Sequence, residues 1–441
     1  MTHSSTHSRD STNIQMDNLN ARTSELEPRF KNPQEKRAMQ RNLASFWIFG
    51  LTNNFAYVVM LSAAHDILDQ EQGSEIPANS TTNSSTEGPP VTSNSSYLEC
   101  NTISTGAILL ADILPSLTVK LTFPIFLQKI PYPVKISLVS VFGLSSFILV
   151  AFAQKVWLSI LGVVLTSIGS GLGEITFLSL TTFYHRNMVS VWSSGTGGAG
   201  ILGALAYAGL TSVGLSARNS LLIMICIPVL MMVTYIFILT TPVSPTKKAD
   251  DDDDVALLLE ESRQKRMNLT FKEKMHLIPG LLKYMIPLTL VYFAEYFINQ
   301  GLHELLYFNG LFLSSKEQYR WYQVAYQVGV FISRSSVNFL KINRLWLLPV
   351  LQMANLVLLT LQVFYRFIPS FWIVLAIILW EGLLGGAAYV NTFYKITNEI
   401  PAEHKEFCIG VASLGDSMGI AVAGAVAIPS HNAICGLHLK V

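Results

Sequence analysis

The sequence predicts an all-α polytopic membrane protein with about eleven transmembrane helices in a six-plus-five arrangement. Three observations predict it. Half of the 441 residues are hydrophobic and only 13% are charged, against about 25% charged in an ordinary soluble domain. The charges crowd into short stretches between long apolar runs, as expected when lipid is the main solvent. The runs reach the roughly twenty residues that a helix needs to cross a hydrocarbon core of about 30 Å. They are too long and continuous for the strands of a membrane barrel.

By that measure spans fall near 43–64, 104–128, 134–154, 157–183, 193–216, 219–243, 279–303, 319–340, 345–366, 370–396 and 405–430. The fifth and eleventh are the weakest, being rich in Gly and Ala. Residues 1–42 are polar and read as a disordered cytosolic tail with no cleavable signal peptide, so the first span is its own insertion signal. A six-helix half (43–243) and a five-helix half (279–430) flank a cytosolic linker, 244–278, and residues 431–441 form a tail. With eleven spans the C-terminus lies on the side opposite the N-terminus.

Orientation follows from the basic residues. Lys36, Arg37 and Arg41 precede the first span. Alternation places Lys129, Lys135, Arg186, the 244–278 segment, Lys341, Arg344, Lys395 and Lys405 on their side, against fewer on the other. Basic loops stay in the cytosol, so the N-terminus is expected there. The Ser/Thr/Asn-rich loop 65–103 then lies outside, and it carries three glycosylation sequons, at Asn79, Asn83 and Asn94. Asn268 begins a fourth sequon, in the cytosolic linker, and is expected to stay unmodified. Cys100, Cys226, Cys408 and Cys435 are too few for a disulfide framework.

The linker carries an acidic run and then Asp253-xxx-Leu257-Leu258. A carboxylate ahead of two leucines in a flexible segment suits clathrin adaptors, which offer a basic patch beside an apolar slot. The plainer alternative is a solvated acidic linker with incidental leucines. A second match, Glu273 with Leu277 and Ile278, runs into the seventh span and reads as helix.

The two halves echo each other. Phe55-Ala56 is followed by His65-Asp66-Ile67-Leu68, and Phe293-Ala294 at the same spacing by His303-Glu304-Leu305-Leu306. Thr182-Phe183-Tyr184 ends the fourth span and Thr392-Phe393-Tyr394 ends the tenth. Spans one and seven, and four and ten, are the pairs that a six-span parallel repeat would match. That is the arrangement of the major facilitator superfamily.

Ionisable side chains at membrane depth are expensive and mark functional candidates. Glu295, Asn299 and His303 form a stripe on span seven, with Tyr292, Tyr296 and Gln300 beside it. Such a stripe belongs in a bundle interior, and a carboxylate with a histidine, which titrates near neutral pH, can hold and release a proton. The alternative is a hydrogen-bonded packing network. Asp112 in span two, Glu174 in four, Glu381 in ten and Asp416 in eleven extend the set. Lys120 and Arg334 are the basic groups inside spans and the candidates for an anionic substrate group, unless they snorkel to the cytosolic face. Gly-xxx-Gly spacings in spans four and ten allow close helix contact. The Gly195–Gly200 run lacks the Lys-Ser/Thr of a phosphate loop and reads as a mobile, closely packed helix entrance. No catalytic motif, metal-ligand spacing or cofactor signature is present, and a net charge of +1 points away from nucleic acid.

Several strings resemble the battenin family: Asn53–Asp66, Gly171–Leu180, Trp192–Gly200, Val291–Gly301, Tyr319–Gln323 and Glu381–Phe393, with the likeness running from about Phe46 to Pro429. The resemblance implies a lysosomal and late-endosomal membrane glycoprotein related to the major facilitator fold. It also implies roles in lysosomal pH, basic amino-acid handling, autophagy, trafficking and the clearance of glycerophosphodiesters such as glycerophosphocholine. Two features depart from the family pattern. Cys435 is followed by six residues, so no terminal prenylation box is formed. Ile409 stands where the family's C-terminal sorting element has Met, which leaves sorting to the Asp253 signal.

The functional expectation is a transporter exporting a small polar solute, with proton coupling through Glu295 and His303 and phosphate contact at Arg334 or Lys120. The alternative is a non-transporting scaffold in the membrane that regulates endosome–lysosome–Golgi trafficking. Membrane lipids surround it in either case.

Overall fold

The computed structural model describes residues 33–74, 105–122, 130–185, 187–240, 270–311, 313, 315–337 and 339–438. Among these, every regular element is helical. The first five helices are α1 (Pro33–Ser74), α2 (Thr105–Thr122), α3 (Tyr132–Ala151), α4 (Val156–Thr181) and α5 (Asn187–Ser212). The sixth, α6, joins Ala217–Ile223 to Cys226–Val233 and a π-turn, Thr234–Ile238. Next, α7 is Phe271–Phe297, prolonged by a π-turn (Ile298–Leu302) and a 3-10 turn (His303–Leu305). The remainder are α8 (Ser315–Ser335), α9 (Leu347–Tyr365), α10 (Phe371–Glu399) and α11, in which Leu414–His438 continues Ala402–Ala412.

Eight of these, α1, α3, α4, α6, α7, α9, α10 and α11, are long and apolar enough to cross a membrane. The Gly- and Ala-rich α11 qualifies although its composition made it one of the weaker spans. The other three, α2, α5 and α8, carry polar side chains turned inward: Asp112, Ser116 and Lys120; Ser190, Ser193 and Thr196; Gln318 and Ser333 are all buried. Outside, the bundle presents large apolar side chains such as Val141, Trp157, Phe237, Val350 and Trp372, the surface that lipid requires.

Local chemistry sets several boundaries. The seventh helix begins well inside the segment read as linker, because Thr270 and Glu273 form a capping box that satisfies the first free amides. Glu273, Leu277 and Ile278 are therefore helical, as their position suggested. The fifth helix begins at Asn187, so Gly195–Gly200 lies within it rather than at its entrance. Arg41 donates to the carbonyls of Phe237 (2.5 Å) and Ile238 (3.1 Å), closing the π-turned end of α6.

The packing is duplicated. The α1–α5 pair corresponds to α7–α11, α2–α4 to α8–α10, and α3–α4 to α9–α10. The halves meet along α5–α8 and α2–α11, which exchange under the same correspondence. The backbone contacts repeat as well: a Cβ on Gly195 would strike the carbonyl of Trp47, and one on Gly415 would meet that of Met285 at 3.2 Å. The offset that relates Phe55 to Phe293 also relates Trp47 to Met285.

The cores are distributed unevenly along the bundle axis. Toward the face on which α1 begins (the near face), one apolar cluster runs through both halves and includes Phe46, Phe177, Trp192, Leu288, Phe393 and Phe407. Toward the far face each half has its own cluster, Phe55, Met60, Phe147 and Tyr207 in one and Leu302, Tyr322, Val363 and Phe371 in the other. The far-face clusters are thus each confined to one half, while α2 and α11 still touch there at Leu110 and Gly424.

Gly382 separates these contacts from ordinary helix positions, because its Cβ would collide with the Tyr326 backbone, whereas Gly280 has nothing within 4 Å. Gly382→Val is expected to lower stability by about 1–3 kcal/mol. Gly280→Ala is expected to be neutral or to raise it by up to about 1 kcal/mol. Thermal unfolding in detergent micelles, followed by tryptophan fluorescence, reads both.

Candidate functional site

The site is a polar network where the two halves meet. Lys120 stands in the last turn of α2 and is 1% exposed, so it does not snorkel. Its Nζ lies 2.7 Å from Glu174 Oε2 on α4 and 3.0 Å from Asp416 Oδ1 on α11, and donates to the Ser413 carbonyl at 3.1 Å. One ammonium therefore ties two carboxylates and crosses the boundary between halves. One positive charge against two carboxylates leaves a place for one proton.

Arg334 stands in the last turn of α8, where the helix dipole favours a cation. Its Nη1 donates to Thr196 Oγ1 on α5 (2.6 Å) and its Nη2 to the Tyr292 hydroxyl on α7 (3.0 Å). The guanidinium also lies 4.3 Å from the ring centroid of Tyr389 on α10. Tyr389 donates in turn to Glu174 Oε1 at 2.9 Å, which joins the two clusters.

The two cations occupy equivalent places in the duplicated fold. Lys120 on α2 faces a group on α4 and one on α11; Arg334 on α8 faces a group on α10 and one on α5, the counterparts of α4 and α11. Lys120 meets two carboxylates, while Arg334 meets two tyrosines and a threonine. No carboxylate lies within salt-bridge distance of Arg334 among the described residues, and its buried Nε has no hydrogen-bond partner. The network therefore holds a guanidinium that no carboxylate of the described residues contacts.

The predicted stripe on α7 is present and turned inward, with Glu295, Asn299 and His303 all buried. It faces α8 and α10 of its own half. Tyr326 donates to Glu295 Oε1. Asn299 Nδ2 donates to Glu381 Oε1 (3.2 Å) and to the Glu295 carbonyl (3.0 Å). His303 Nε2 lies 3.8 Å from Glu381 Oε2, and its Nδ1 lies 3.3 Å from Gln323 Nε2. The π-turn at Ile298–Leu302 widens the helix between the first and last of these, a local distortion common at functional positions. Gly385 gives the Glu295 carboxyl its room, since any Cβ there would overlap it. Tyr296 stacks on Tyr292 at 6.0 Å.

Asp112 lies on α2 two turns from Lys120, fully buried, with neither carboxylate oxygen partnered. Asn79, Asn83, Asn94, Asp253, Leu257 and Leu258 lie outside the described residues, as do Cys100 and Asn268. Tyr389, Tyr326, Thr196 and Tyr57 also belong to the site and were not singled out. A signal existed for Tyr326, which is two turns from Arg334 on the same helix face. Among the described residues no group of three or more His, Cys, Asp or Glu side chains is placed to hold a metal ion.

These features define a polytopic membrane protein with a duplicated helical fold and a polar centre where its halves meet. The solved human organic anion transporter MFSD10 has the same fold: TM-score 0.57 at 12% identity, covering 93% of this chain and 99% of that one. The sequence model of the CLN3 protein family matches residues 44–437. Dog battenin (Canis lupus familiaris) is 47% identical over 420 residues, covering 93% of this chain and 95% of its own. Protein btn-1 of Neurospora crassa is 37% identical over 437 residues, covering 89% and 88%. The chain belongs to the CLN3 family.

Removing the shared ammonium tests the link between the halves. Lys120→Met leaves Glu174 and Asp416 buried without their cation and is expected to cost about 3–5 kcal/mol of stability. Adding Asp416→Asn to that variant removes one of the two stranded charges and should recover part of the loss. Thermal unfolding of the purified variants checks both outcomes.

Proposed function

We propose that this chain exports a small polar solute carrying an anionic group across the lysosomal and late-endosomal membrane, by alternating access of its two halves. The substrate class that best fits is the glycerophosphodiesters, such as glycerophosphocholine. The observation that carries this reading is Arg334, an inward-turned guanidinium held by neutral groups where its counterpart Lys120 is held by two carboxylates. A phosphodiester supplies the missing charge and can accept two parallel hydrogen bonds from a guanidinium.

The positive-inside rule makes the near face cytosolic. Separate cores toward the far face then fit a state that receives solute from the lumen. Glu295, Glu381 and His303 form the proton-handling group, linked through Asn299. Asn79, Asn83 and Asn94 carry glycans in the lumenal loop, and Asp253 with Leu257 and Leu258 recruits clathrin adaptors. Disturbed lysosomal pH, basic amino-acid balance and autophagy follow from solute retention.

Flux into proteoliposomes containing only the purified protein tests the proposal. Saturable glycerophosphodiester uptake is expected, faster with an inwardly directed proton gradient. Arg334→Gln should reduce it by about thirtyfold or more, the effect of losing one partner of a buried charge pair. Glu295→Gln should keep solute exchange while losing the response to the gradient. No saturable uptake by the wild-type protein would overturn the reading.

A further inference from the structure

Each half carries one acid–tyrosine pair, with the residue types exchanged. In the C-terminal half Tyr326, two turns before Arg334 on α8, donates to Glu295 on α7. The offset that relates Phe55 to Phe293 relates Tyr57 to Glu295. Asp112 stands two turns before Lys120 on α2, as Tyr326 stands before Arg334. Tyr57 and Asp112 are thus the counterparts of Glu295 and Tyr326, and they lie within electrostatic reach of each other.

The two pairs differ in one respect. The C-terminal pair is closed by its hydrogen bond. In the N-terminal pair, both oxygens of Asp112 are buried without a partner, while the Tyr57 hydroxyl turns to Tyr296 instead. A buried carboxylate with no donor is expensive unless a proton neutralises it or a cation binds it. Lys120 is already taken by Glu174 and Asp416, and no other cation of this chain lies within salt-bridge distance of Asp112 among the described residues. Tyr57 faces Tyr296 across the boundary between the halves. Tyr296 stacks on Tyr292, whose hydroxyl receives Arg334. A row of tyrosines therefore connects a carboxylate without a cation to a guanidinium without an anion.

We propose that Asp112, with Tyr57 in reach of it and Tyr296 beyond, is a binding subsite for an ammonium group, so that the preferred solute is a zwitterion whose anionic end lies at Arg334. A carboxylate attracts any ammonium, and tyrosine faces add the attraction of their π-systems, strongest for a desolvated cation. The N-terminal half thus selects the cationic end and the C-terminal half the anionic end. A solute that touches both draws the halves together. The proposal rests on the transport reading above and adds a specificity that the reading does not require.

Proteoliposome flux with wild-type protein, Asp112→Asn and Asp112→Glu tests it, using glycerophosphodiesters headed by choline, by ethanolamine and by uncharged glycerol. Wild-type protein is expected to prefer the two ammonium-headed solutes. Asp112→Asn should lower their uptake about thirtyfold and leave the glycerol-headed solute within about twofold. Asp112→Glu should restore part of the ammonium-headed flux. A loss equal for all three solutes, with fluorescence-detected size exclusion showing a folded protein, would overturn the subsite and assign Asp112 to the proton or to packing. Unchanged flux in Asp112→Asn, or a wild-type preference for the glycerol-headed solute, would also overturn it while leaving transport intact. Absence of wild-type flux for every solute would instead remove the transport reading itself and this subsite with it.

Discussion

A lysine ammonium in the middle of a helical bundle persists only where carboxylates meet it, since an ion taken from water loses several kcal/mol of solvation even after relaxation. Lys120 meets two, one from its own half and one from the other. That arrangement fixes α2 against both α4 and α11 and brings Glu174 to the Tyr389 hydroxyl. Tyr389 in turn presents its ring to Arg334. The polar centre is therefore one connected object, and its geometry follows from how the Lys120 charge is satisfied. Because Asp416 and Glu174 come from different halves, the same contact is also a tie that a rocking motion would have to strain or break.

Duplication explains why the centre is asymmetric in a useful way. A parallel repeat places equivalent positions on opposite sides of the central cleft. Where a copy keeps charge and counter-charge together, as at Lys120, the result is structural. Where one copy loses the counter-charges, as at Arg334, the vacancy is filled by neutral hydrogen-bonding groups and the charge remains available.

Much of this was legible in the sequence, and the rest was hidden for identifiable reasons. The apolar runs and the echo of Phe55-Ala56 in Phe293-Ala294 located the helices and the register of the repeat, because length and spacing are local properties. The stripe of Glu295, Asn299 and His303 was legible for the same reason. Whether Lys120 snorkels or pairs was not, since that depends on α11 lying against α2, a contact between residues far apart in the chain. Averaged hydropathy understated α8, whose Gln318 and Ser333 face inward rather than toward lipid. The role of Tyr389 was equally hidden, because a tyrosine in a Gly-rich span carries no sign of the arginine it faces.

The central claim is that the halves move against each other around this centre and that a solute governs the motion. Paired spin labels at the far face read that motion directly. Val213, at the far end of α5, and Trp372, at the far end of α10, are both well exposed and belong to opposite halves. With cysteines introduced there in a background lacking the native four, inter-label distances would be measured in lipid nanodiscs with and without glycerophosphodiester. The account predicts two distance populations whose ratio changes with solute, the shorter corresponding to a closed far face. One narrow population, unchanged at any solute concentration, would contradict it.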